Sequence, residues 1–411
     1  MIYVGIDVAK NEHDCFITNS DGRDLSGVFT IANSLDGFDE LLSRIRSAAM
    51  GDGNIKVGLE STGHYSDNIR NYLLDKGLTT FVINPLLTSL FRNCHSLRKT
   101  KTDSVDARVI TMMLRSGMDL KSYQPKAYHN DELKSLTRFR SRLVKERSVH
   151  KTSVSRLVTI LFPELEHIVS TIHSASVYAL LSRFPSAQHI ANAHLKSLTV
   201  LLHSASRGAW GREKAIEIRD AARRSIGSGP LAASIELQTT ISIIGMLDRN
   251  IDNLDAQIGK LMEKTGSPIL SIPGMGLSLG AAIIAEVGDF SRFPSADKLL
   301  AFAGMSPTRS QSGESESSHA RMEKRGSSYL RSALFNAAIY VCKWVPEFNR
   351  YLCSKLAEGK HYYVAVSHTA KKLLRMIYAM EKSGEAYRSG TRSCPVTAST
   401  ALFKGQRAPG S

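Results

Sequence analysis

The sequence predicts an α/β domain at the N-terminus, followed by a mainly α-helical remainder. Up to about residue 114, short apolar runs rich in β-branched residues alternate with segments of helical spacing. Two later stretches, near 131–162 and 237–264, carry apolar residues three and four positions apart, which indicates two long helices. We expect four segments: 1–125, 126–265, 266–387 and a tail, 388–411, which is polar and predicted to be disordered.

The N-terminal domain begins with a β-prone run, Met1–Lys10, which we predict to be its central strand. Two extended stretches joined by a turn sequence predict an antiparallel meander, at Asp14–Thr18 and Leu25–Ile31. The later elements are a helix at Leu35–Ile45, a strand at Ile55–Glu60, a helix from about Tyr65 to Leu74, a strand at Leu78–Ile83 and an apolar helical run at Val109–Leu114. This order of strands and helices is that of an RNase H-like domain.

Four carboxylates occupy informative places in these elements: Asp7, Glu60, Asp103 and Asp106. Asp7 and Glu60 each end an apolar strand, so we expect both in one cleft. Asp103 and Asp106 are three positions apart and share one face of the predicted helix, where like charges repel unless a cation neutralises them. A hard divalent ion, Mg²⁺ or else Mn²⁺, held by carboxylates and open to phosphate oxygens, explains the set.

A structural interpretation of the same acids stays open. Acids in the first turn of a helix are favoured by the macrodipole, and an acid can close a strand before a turn. Each carboxylate alone is more often structural than catalytic. The prediction of a metal site therefore depends on the four residues taken together.

The composition favours a polyanionic partner. The chain of 411 residues has 53 Lys and Arg against 38 Asp and Glu, a net charge of +15, which does not distinguish DNA from RNA. The sequence has no run of about 18 apolar residues and opens on a predicted core strand, so we expect a cytoplasmic protein with no membrane partner. Its cysteines are widely spaced without a CxxC pair and indicate neither a disulfide framework nor a zinc site.

The two long helices are predicted to pack as a coiled-coil arm, within one chain or between chains. The seam of the second helix is made of regularly spaced apolar residues, namely Ile244, Leu247, Ile251, Leu254, Ile258 and Leu261. The first helix is strongly basic, and Arg138 and Arg142 are among its cations. These cations are either the solvated face of a spacer or a contact for nucleic acid, and both interpretations remain open.

A helical insert, 164–229, contains a motif that recurs later in the chain. Ser182–Ala187 is repeated letter for letter at Ser291–Ala296, and in both copies the serine after proline predicts a helix start. The repeat suggests duplicated helix-hairpin-helix-like units. Before the second copy, Gly274 and Gly276 form a turn that leads into a predicted helix, whose backbone N–H groups could bind phosphate. A purely structural helical hairpin is the alternative.

A serine-rich segment, Ala303–Gly313, contains a candidate nucleophile, Ser312. Such a loop is usually a solvated connection, and no His or Lys base is tied to Ser312 by spacing. A serine hydroxyl needs neighbouring cations or a metal to become nucleophilic. The cations placed to supply that field and to contact phosphate are Arg309, Lys324, Arg325 and Arg331.

Taken together, these motifs resemble the DEDD transposases of the bacterial insertion-sequence family one-hundred-ten, which also includes the Piv invertase. The resemblance is collinear and covers nearly the whole chain outside the insert and the tail. The segments that carry it are Gly5–Lys10, Leu59–Gly63, Asn84–Pro85, Lys101–Arg108, Ile272–Gly276, Ala303–Pro307, Ser312–Gly313 and Lys324–Arg331.

The resemblance implies a cytoplasmic bacterial recombinase with a RuvC-like N-terminal domain, a coiled-coil arm and a C-terminal transposase domain. It implies that Asp7, Glu60, Asp103 and Asp106 bind Mg²⁺ and that Ser312 becomes covalently joined to cleaved DNA. It also implies dimers that assemble into tetramers, guided by a structured bridge RNA that pairs separately with donor and target DNA. No nucleotide cofactor is expected, because the covalent intermediate retains the bond energy.

The residues that we expect to contact nucleic acid are two glycines and ten cations: Lys10, Lys99, Lys101, Arg108, Arg138, Arg142, Gly274, Gly276, Arg309, Lys324, Arg325 and Arg331.

Three alternatives to a serine recombinase use the same residues. A sugar-kinase or actin-like ATPase also opens with a Gly-Ile-Asp strand, but it needs a phosphate-binding turn that Val8-Ala9-Lys10 does not supply. A non-catalytic nucleic-acid-binding relative is expected to lack a carboxylate, and none is missing. A RuvC-like nuclease or resolvase that uses activated water, with Ser312 only contacting phosphate, stays open.

Overall fold

A computed structural model describes residues 1–49, 51, 53–61, 65–95, 103–118, 120, 122–123, 128–307, 311–312, 315–316 and 322–388. The chain divides into two compact units, Met1–Pro125 and Lys126–Ser411. Lys99, Lys101, Arg309 and all but the first residue of the predicted tail lie outside the described residues. None of the described helices has the length and apolar character needed to cross a membrane.

The first unit is built on a mixed five-stranded sheet. Its elements are β1 (Ile2–Val8), β2 (Glu12–Asn19), β3 (Asp24–Ala32), α1 (Leu35–Ala49), β4 (Ile55–Glu60), α2 (Tyr65–Asp75), β5 (Thr79–Ile83), α3 (Pro85–His95) and α4 (Asp103–Arg115). The strand order is β3-β2-β1-β4-β5, with β2 antiparallel to both neighbours and β1, β4 and β5 parallel. This arrangement confirms the predicted α/β class with an RNase H-like sheet.

Both faces of the central strand β1 are covered, which is why its sequence is almost continuously apolar. On one face, Val4 and Ile6 belong to a core that also contains Leu41 and Ile45 of α1. The opposite face is covered by α4, whose apolar residues Ile110 and Leu114 lie against Gly58 of β4. The sheet is therefore the middle layer of three.

The second unit is almost entirely helical, as predicted. Its elements are α5 (Tyr128–Leu161), α6 (Leu165–Ile168), α7 (Ala175–Arg183), α8 (Ala187–Ala191), α9 (Leu195–Ala205), α10 (Arg212–Arg223), α11 (Leu231–Thr265), α12 (Leu277–Val287), α13 (Ala296–Phe302), β6 (Gln311–Ser312), β7 (Ser315–Glu316), α14 (Ser328–Trp344), α15 (Pro346–Ala357) and α16 (Tyr362–Ser383). Short 3₁₀ helices lie at Pro268–Ser271 and Phe290–Arg292.

The two long helices α5 and α11 pack against each other in an antiparallel pair. Arg140 binds Asp255 and Arg147 binds Asp248, each with a shortest N–O distance of 2.6 Å, so positions rise along α5 as they fall along α11. Leu143 lies with two residues of α11 in one buried cluster. The predicted seam thus packs within one chain. Knobs-into-holes geometry, which defines a coiled coil, remains a prediction.

The two copies of the repeated motif share a helix cap but differ in what precedes it. Ser186 accepts a hydrogen bond from the backbone N–H of His189 and begins α8, and Ser295 accepts one from Lys298 and begins α13. The predicted helix starts are therefore confirmed. The first copy begins in the last two residues of the α-helix α7, whereas the second begins in a 3₁₀ helix. The repeat specifies a capped helix start rather than two equal hairpins.

Candidate active site

Asp7 and Glu60 lie next to each other at the carboxyl ends of two parallel strands. β1 and β4 pair in register, with Ile6 opposite Leu59. The next position in this register sets Asp7 beside Glu60. Because side chains at one register position of parallel neighbours point to the same face of a sheet, both carboxylates belong to one face. Both residues are partly buried.

That face is covered by α4, and two glycines bring the helix close. Gly5 and Gly58 precede the two carboxylates by two positions and so belong to the same face. A Cβ at Gly5 would lie 2.1 Å from the carbonyl oxygen of Ala107, and a Cβ at Gly58 would lie 2.7 Å from Cγ2 of Ile110. Such contacts are too short for any side chain, so α4 lies directly against both strands because these residues are glycine.

The N-terminus of α4 points towards the carboxyl ends of β1 and β4. Ala107 lies over the middle of β1, whereas Leu114, near the other end of the helix, shares a cluster with Tyr3. The helix therefore runs antiparallel to β1. Asp103 and Asp106 are in its first turn, so they begin the helix at the edge of the sheet where the two strand carboxylates lie.

Asp106 is buried and paired with an arginine. It is 4% exposed, and Nη1 of Arg92, on α3, donates to its Oδ1 at 2.6 Å. A carboxylate removed from water needs such a partner. Arg92 therefore balances the charge of Asp106 in this structure. The side chain of Asp103 lies outside the described residues.

The carboxylates of the candidate site are the right kind of donor for a hard cation, but the described ones are not gathered into a complete metal site. Carboxylate oxygens are the ligands that Mg²⁺ prefers. Among the side chains that the structure describes, no group of three or more His, Cys, Asp or Glu is gathered closely enough to hold a metal. Asp7 and Glu60 would thus supply carboxylate donors on one face, and Asp106 could add its second carboxylate oxygen, since Arg92 binds only Oδ1.

Two neighbours of this site were not indicated by the sequence, Asp14 and Arg92. Asp14 lies directly opposite Asp7 across β1 and β2, and its Oδ1 accepts a 2.7 Å hydrogen bond from Thr30. Nothing in its spacing marks it, because the pairing of two antiparallel strands depends on their register. Arg92 belongs to a different helix from its partner, and no local pattern joins them.

Ser312 lies in a short hairpin of the second unit. It is opposite Ser315 in the antiparallel pair β6 and β7. A separate bridge joins Pro307 to Met322 and closes the base of this segment. The side chain of Ser312 lies outside the described residues. The backbone thus presents the candidate serine on a hairpin, and the tetrad belongs to the other unit.

The predicted nucleic-acid contacts fall into two groups. Those with exposed side chains are Lys10, Arg108, Arg142, Lys324 and Arg325. Arg331 is instead engaged by the fold, since its Nη1 donates to the carbonyl oxygens of Ala303 and Gly326 at 3.1 and 2.7 Å. Arg331 therefore holds the residues that flank the serine hairpin.

Arg138 is also engaged, through an ion pair with a buried carboxylate. Its Nε and Nη2 bind the two carboxylate oxygens of Glu286 at 2.5 and 3.0 Å, and Glu286 also accepts a bond from Ser327 at 2.7 Å. Burial raises the pKa of Glu286, but these hydrogen bonds and the charge of Arg138 outweigh it, so the pKa lies below its usual value. Arg138 thus joins α5 to α12 and to the start of α14.

The glycine turn at Gly274 and Gly276 packs against α14. Gly274 has a φ of +86°, and a Cβ there would lie 2.7 Å from Cδ1 of Trp344 and 2.8 Å from the carbonyl oxygen of Tyr340. Gly276 precedes α12 without a side-chain cap. The conformation and the close contact both require glycine at position 274. The predicted turn is therefore also a packing element.

Comparison with known proteins identifies the class of this chain. One family model, for DEDD transposases of the IS110 type and described as "Transposase", matches residues 4–163. A second, described as "Transposase IS116/IS110/IS902 family", matches residues 266–353. The two matches follow in chain order and leave the segment from 164 to 265 outside them. The chain belongs to the IS110 family of transposases.

Several relatives match over almost their full length. The chain is 25% identical over 399 residues to the insertion element IS900 uncharacterized 42 kDa protein of Mycobacterium paratuberculosis, covering 95% of this chain and 98% of that protein. It is 24% identical over 393 residues to the pilin gene-inverting protein of Moraxella lacunata, covering 94% and 97%. Among solved structures, RuvC of T. thermophilus in complex with a Holliday junction substrate is 12% identical, with a TM-score of 0.23, over 30% of this chain and 99% of that one.

Proposed function

We propose that this transposase cuts and rejoins DNA through a covalent phosphoserine intermediate formed by Ser312, at a site where the acidic tetrad holds Mg²⁺. The observation that carries the metal half of the proposal is the register of β1 and β4, which sets Asp7 beside Glu60 on the face that α4 covers. The first turn of α4, with Asp103 and Asp106, begins at the same edge.

The tetrad would hold and orient the scissile phosphate. When bound, Mg²⁺ supplies polarisation of the phosphate and charge stabilisation for the departing 3′-oxygen. Asp7 and Glu60 are fixed by the sheet, which preorganises them. Arg92 holds Oδ1 of Asp106, which positions this carboxylate and places a cation beside it that could bind a phosphate oxygen.

The serine step needs no external energy source. The Oγ of Ser312 attacks phosphorus, the Oγ–P bond forms as the P–O3′ bond breaks, and the hydroxyl proton passes to solvent while the 3′-oxygen leaves as a hydroxyl. The phosphodiester is conserved as a phosphoserine. Attack by the 3′-hydroxyl of the partner strand reverses these bond changes and joins the new strands. This exchange is consistent with a transposase without a nucleotide cofactor.

We further propose a guide RNA and a homo-oligomer, dimeric and then tetrameric, as the resemblance implies. Support from this chain is its net charge of +15 and the exposed cations Lys10, Arg108, Arg142, Lys324 and Arg325, which suit nucleic-acid backbones without reading sequence. Base pairing by a guide would then supply the selection. Sequencing RNA that co-purifies with the protein from its native locus tests this part.

Replacing the candidate nucleophile tests the chemistry. Ser312→Ala should abolish protein–DNA adducts in a denaturing gel while the affinity for DNA stays within about twofold, because only the Oγ is removed. Asp7→Asn should also abolish adducts in Mg²⁺, with the melting temperature retained.

The competing function is a nuclease or resolvase that uses activated water. In that case Ser312→Ala still cleaves DNA, and the wild-type product carries no protein. Adducts that persist in Ser312→Ala would reject the serine. Normal recombination by Asp7→Asn in Mg²⁺ would reject the metal site.

A further inference from the structure

An aromatic pair at the end of α14 is exposed on the surface of the second unit. Tyr340 is 50% exposed and Trp344 is 69% exposed. Their neighbours Val341 and Val345 are buried in the core. Trp is highly buried on average in folded proteins, so an indole left largely in solvent on an ordered helix indicates a contact surface.

The position of the indole is set by the glycine turn. Trp344 Cδ1 lies against the backbone of Gly274, where even a Cβ would come within 2.7 Å. Trp344 is the last residue of α14, and α15 begins after Val345 with a proline, Pro346. The chain direction on both sides of the indole is therefore fixed, which limits the entropy lost when a flat ligand stacks on it.

A cation lies beside the aromatic pair. The ammonium group of Lys343 lies 5.3 Å from the ring centre of Tyr340. α14 has no acidic residue and the turn from Ile272 to Gly276 has none either; the nearest acid along the chain is Glu347, in the first turn of α15. Exposed aromatic rings beside a cation are typical of sites for unpaired nucleobases.

We propose that Tyr340 and Trp344 form a stacking platform for an unpaired nucleobase of the strand that the protein processes or of its guide. The proposal rests on the proposed function, since it names a contact that such a recombinase makes with a separated strand. Strand exchange requires bases to leave one duplex before they pair in another. A platform beside the glycine turn holds such a base while the cations hold its backbone.

Trp344 provides its own reporter. The chain has two tryptophans, Trp210 and Trp344, so Trp210→Phe leaves a single indole at the platform. Titration with a single-stranded DNA oligonucleotide, and with the RNA of the same sequence, should quench its emission. A blunt duplex of that sequence should quench it much less, because its bases are already stacked.

Substitutions then test whether the contact matters. Trp344→Ala should weaken single-strand binding about tenfold and duplex binding less than twofold, whereas Trp344→Tyr keeps a ring and should retain most of the affinity. Comparing the titrations with single-stranded DNA and with single-stranded RNA shows which of the two strands the platform prefers.

The outcomes separate this proposal from the proposed function. If Trp344→Ala binds single strands as wild type does while Ser312 still forms adducts, the platform is wrong and the recombinase stands. If Trp344→Ala instead changes the sedimentation of the protein and leaves binding unchanged, the pair is an interface with a second copy. If the wild type binds neither strand nor duplex, the proposed function fails and the platform fails with it.

Discussion

At the scale of single residues, glycines decide where the candidate metal site forms. The pattern glycine, any residue, acid occurs at the end of both β1 and β4 and could be seen in the sequence. Its meaning could not, because the helix that packs on Gly5 and Gly58 comes some fifty residues or more later. To place these glycines and acids in the sheet, one must know how its strands are aligned, and this register depends on contacts across the whole domain.

Gly5→Ala should displace α4 and disturb the candidate site. The new methyl carbon would meet the backbone oxygen of Ala107 at 2.1 Å, and backbone cannot rotate away. We expect a loss of about 2–3 kcal/mol in the free energy of unfolding, measured with urea, because overpacking forces the helix outwards. Gly58→Ala is the matched control, since its first contact is a side-chain methyl of Ile110. Equal losses for both variants would contradict the close backbone contact.

The ion pair of Arg138 and Glu286 shows a second limit of sequence reasoning. The basic character of its helix predicts that Arg138 contacts nucleic acid, which stays a prediction, but it does not indicate that the guanidinium binds a carboxylate far along the chain. Glu286 is 2% exposed as a side chain and Arg138 is 41% exposed. Removing the arginine leaves a buried charge unpaired, whereas removing the acid leaves a cation that reaches water.

Arg138→Ala should therefore cost more than Glu286→Gln, about 3 against about 1 kcal/mol at pH 7 in urea unfolding. The pH dependence has a definite sign. In the wild type the pKa of Glu286 is lower in the folded than in the unfolded chain, so the ionised carboxylate stabilises the fold at any pH above the unfolded pKa. This stabilisation is lost as the pH falls through the folded pKa. In Arg138→Ala burial dominates and raises that pKa, so the deficit should shrink as pH falls from 7 to 4. A deficit independent of pH would indicate lost packing alone.

At the scale of elements, periodicity predicted more than position did. The apolar seam of α11 indicated a long helix, and the serines after proline indicated two helix starts, because both signals are local. The sequence does not specify that α11 pairs with α5 of the same chain, since an apolar seam indicates that a partner helix exists and not which helix it is. The ion pairs between the two antiparallel helices identify α5 of the same chain as that partner.

The seam, rather than its surface charges, should hold the helix pair together. Ile251→Ala removes a buried side chain from the cluster with Leu143 and should cost about 2–4 kcal/mol in urea unfolding. Arg156→Gln breaks an exposed ion pair with Glu236 and should cost less than about 1 kcal/mol. A larger loss in Arg156→Gln than in Ile251→Ala would show that the pair is held by electrostatics.

At the scale of the whole molecule, the fold class and the family can be predicted from the sequence because they depend on many motifs and elements that occur in a fixed order along the chain. The candidate active site does not follow as completely, because the acids and the serine that we propose for it belong to separate units and no local pattern indicates whether they act together. The proposal that they act in one chemical step therefore needs a test of coupling rather than of presence.

The variant that combines Asp7→Asn with Ser312→Ala supplies this test in the intact chain. If the metal site and the serine act on one phosphate in one step, either substitution alone removes that step, so the double variant should cleave no more slowly than the slower single variant. Single-turnover cleavage of a labelled DNA substrate, with the product assayed for attached protein, gives the rates. Independent roles, as for a water-using nuclease whose Ser312 only grips phosphate, would make the two losses multiply instead, because a grip and a metal ion contribute separately to the transition state. The rate losses of residues that act together in one step do not add. A double variant that cleaves as fast as the slower single variant would therefore show that Asp7 and Ser312 serve one catalytic step.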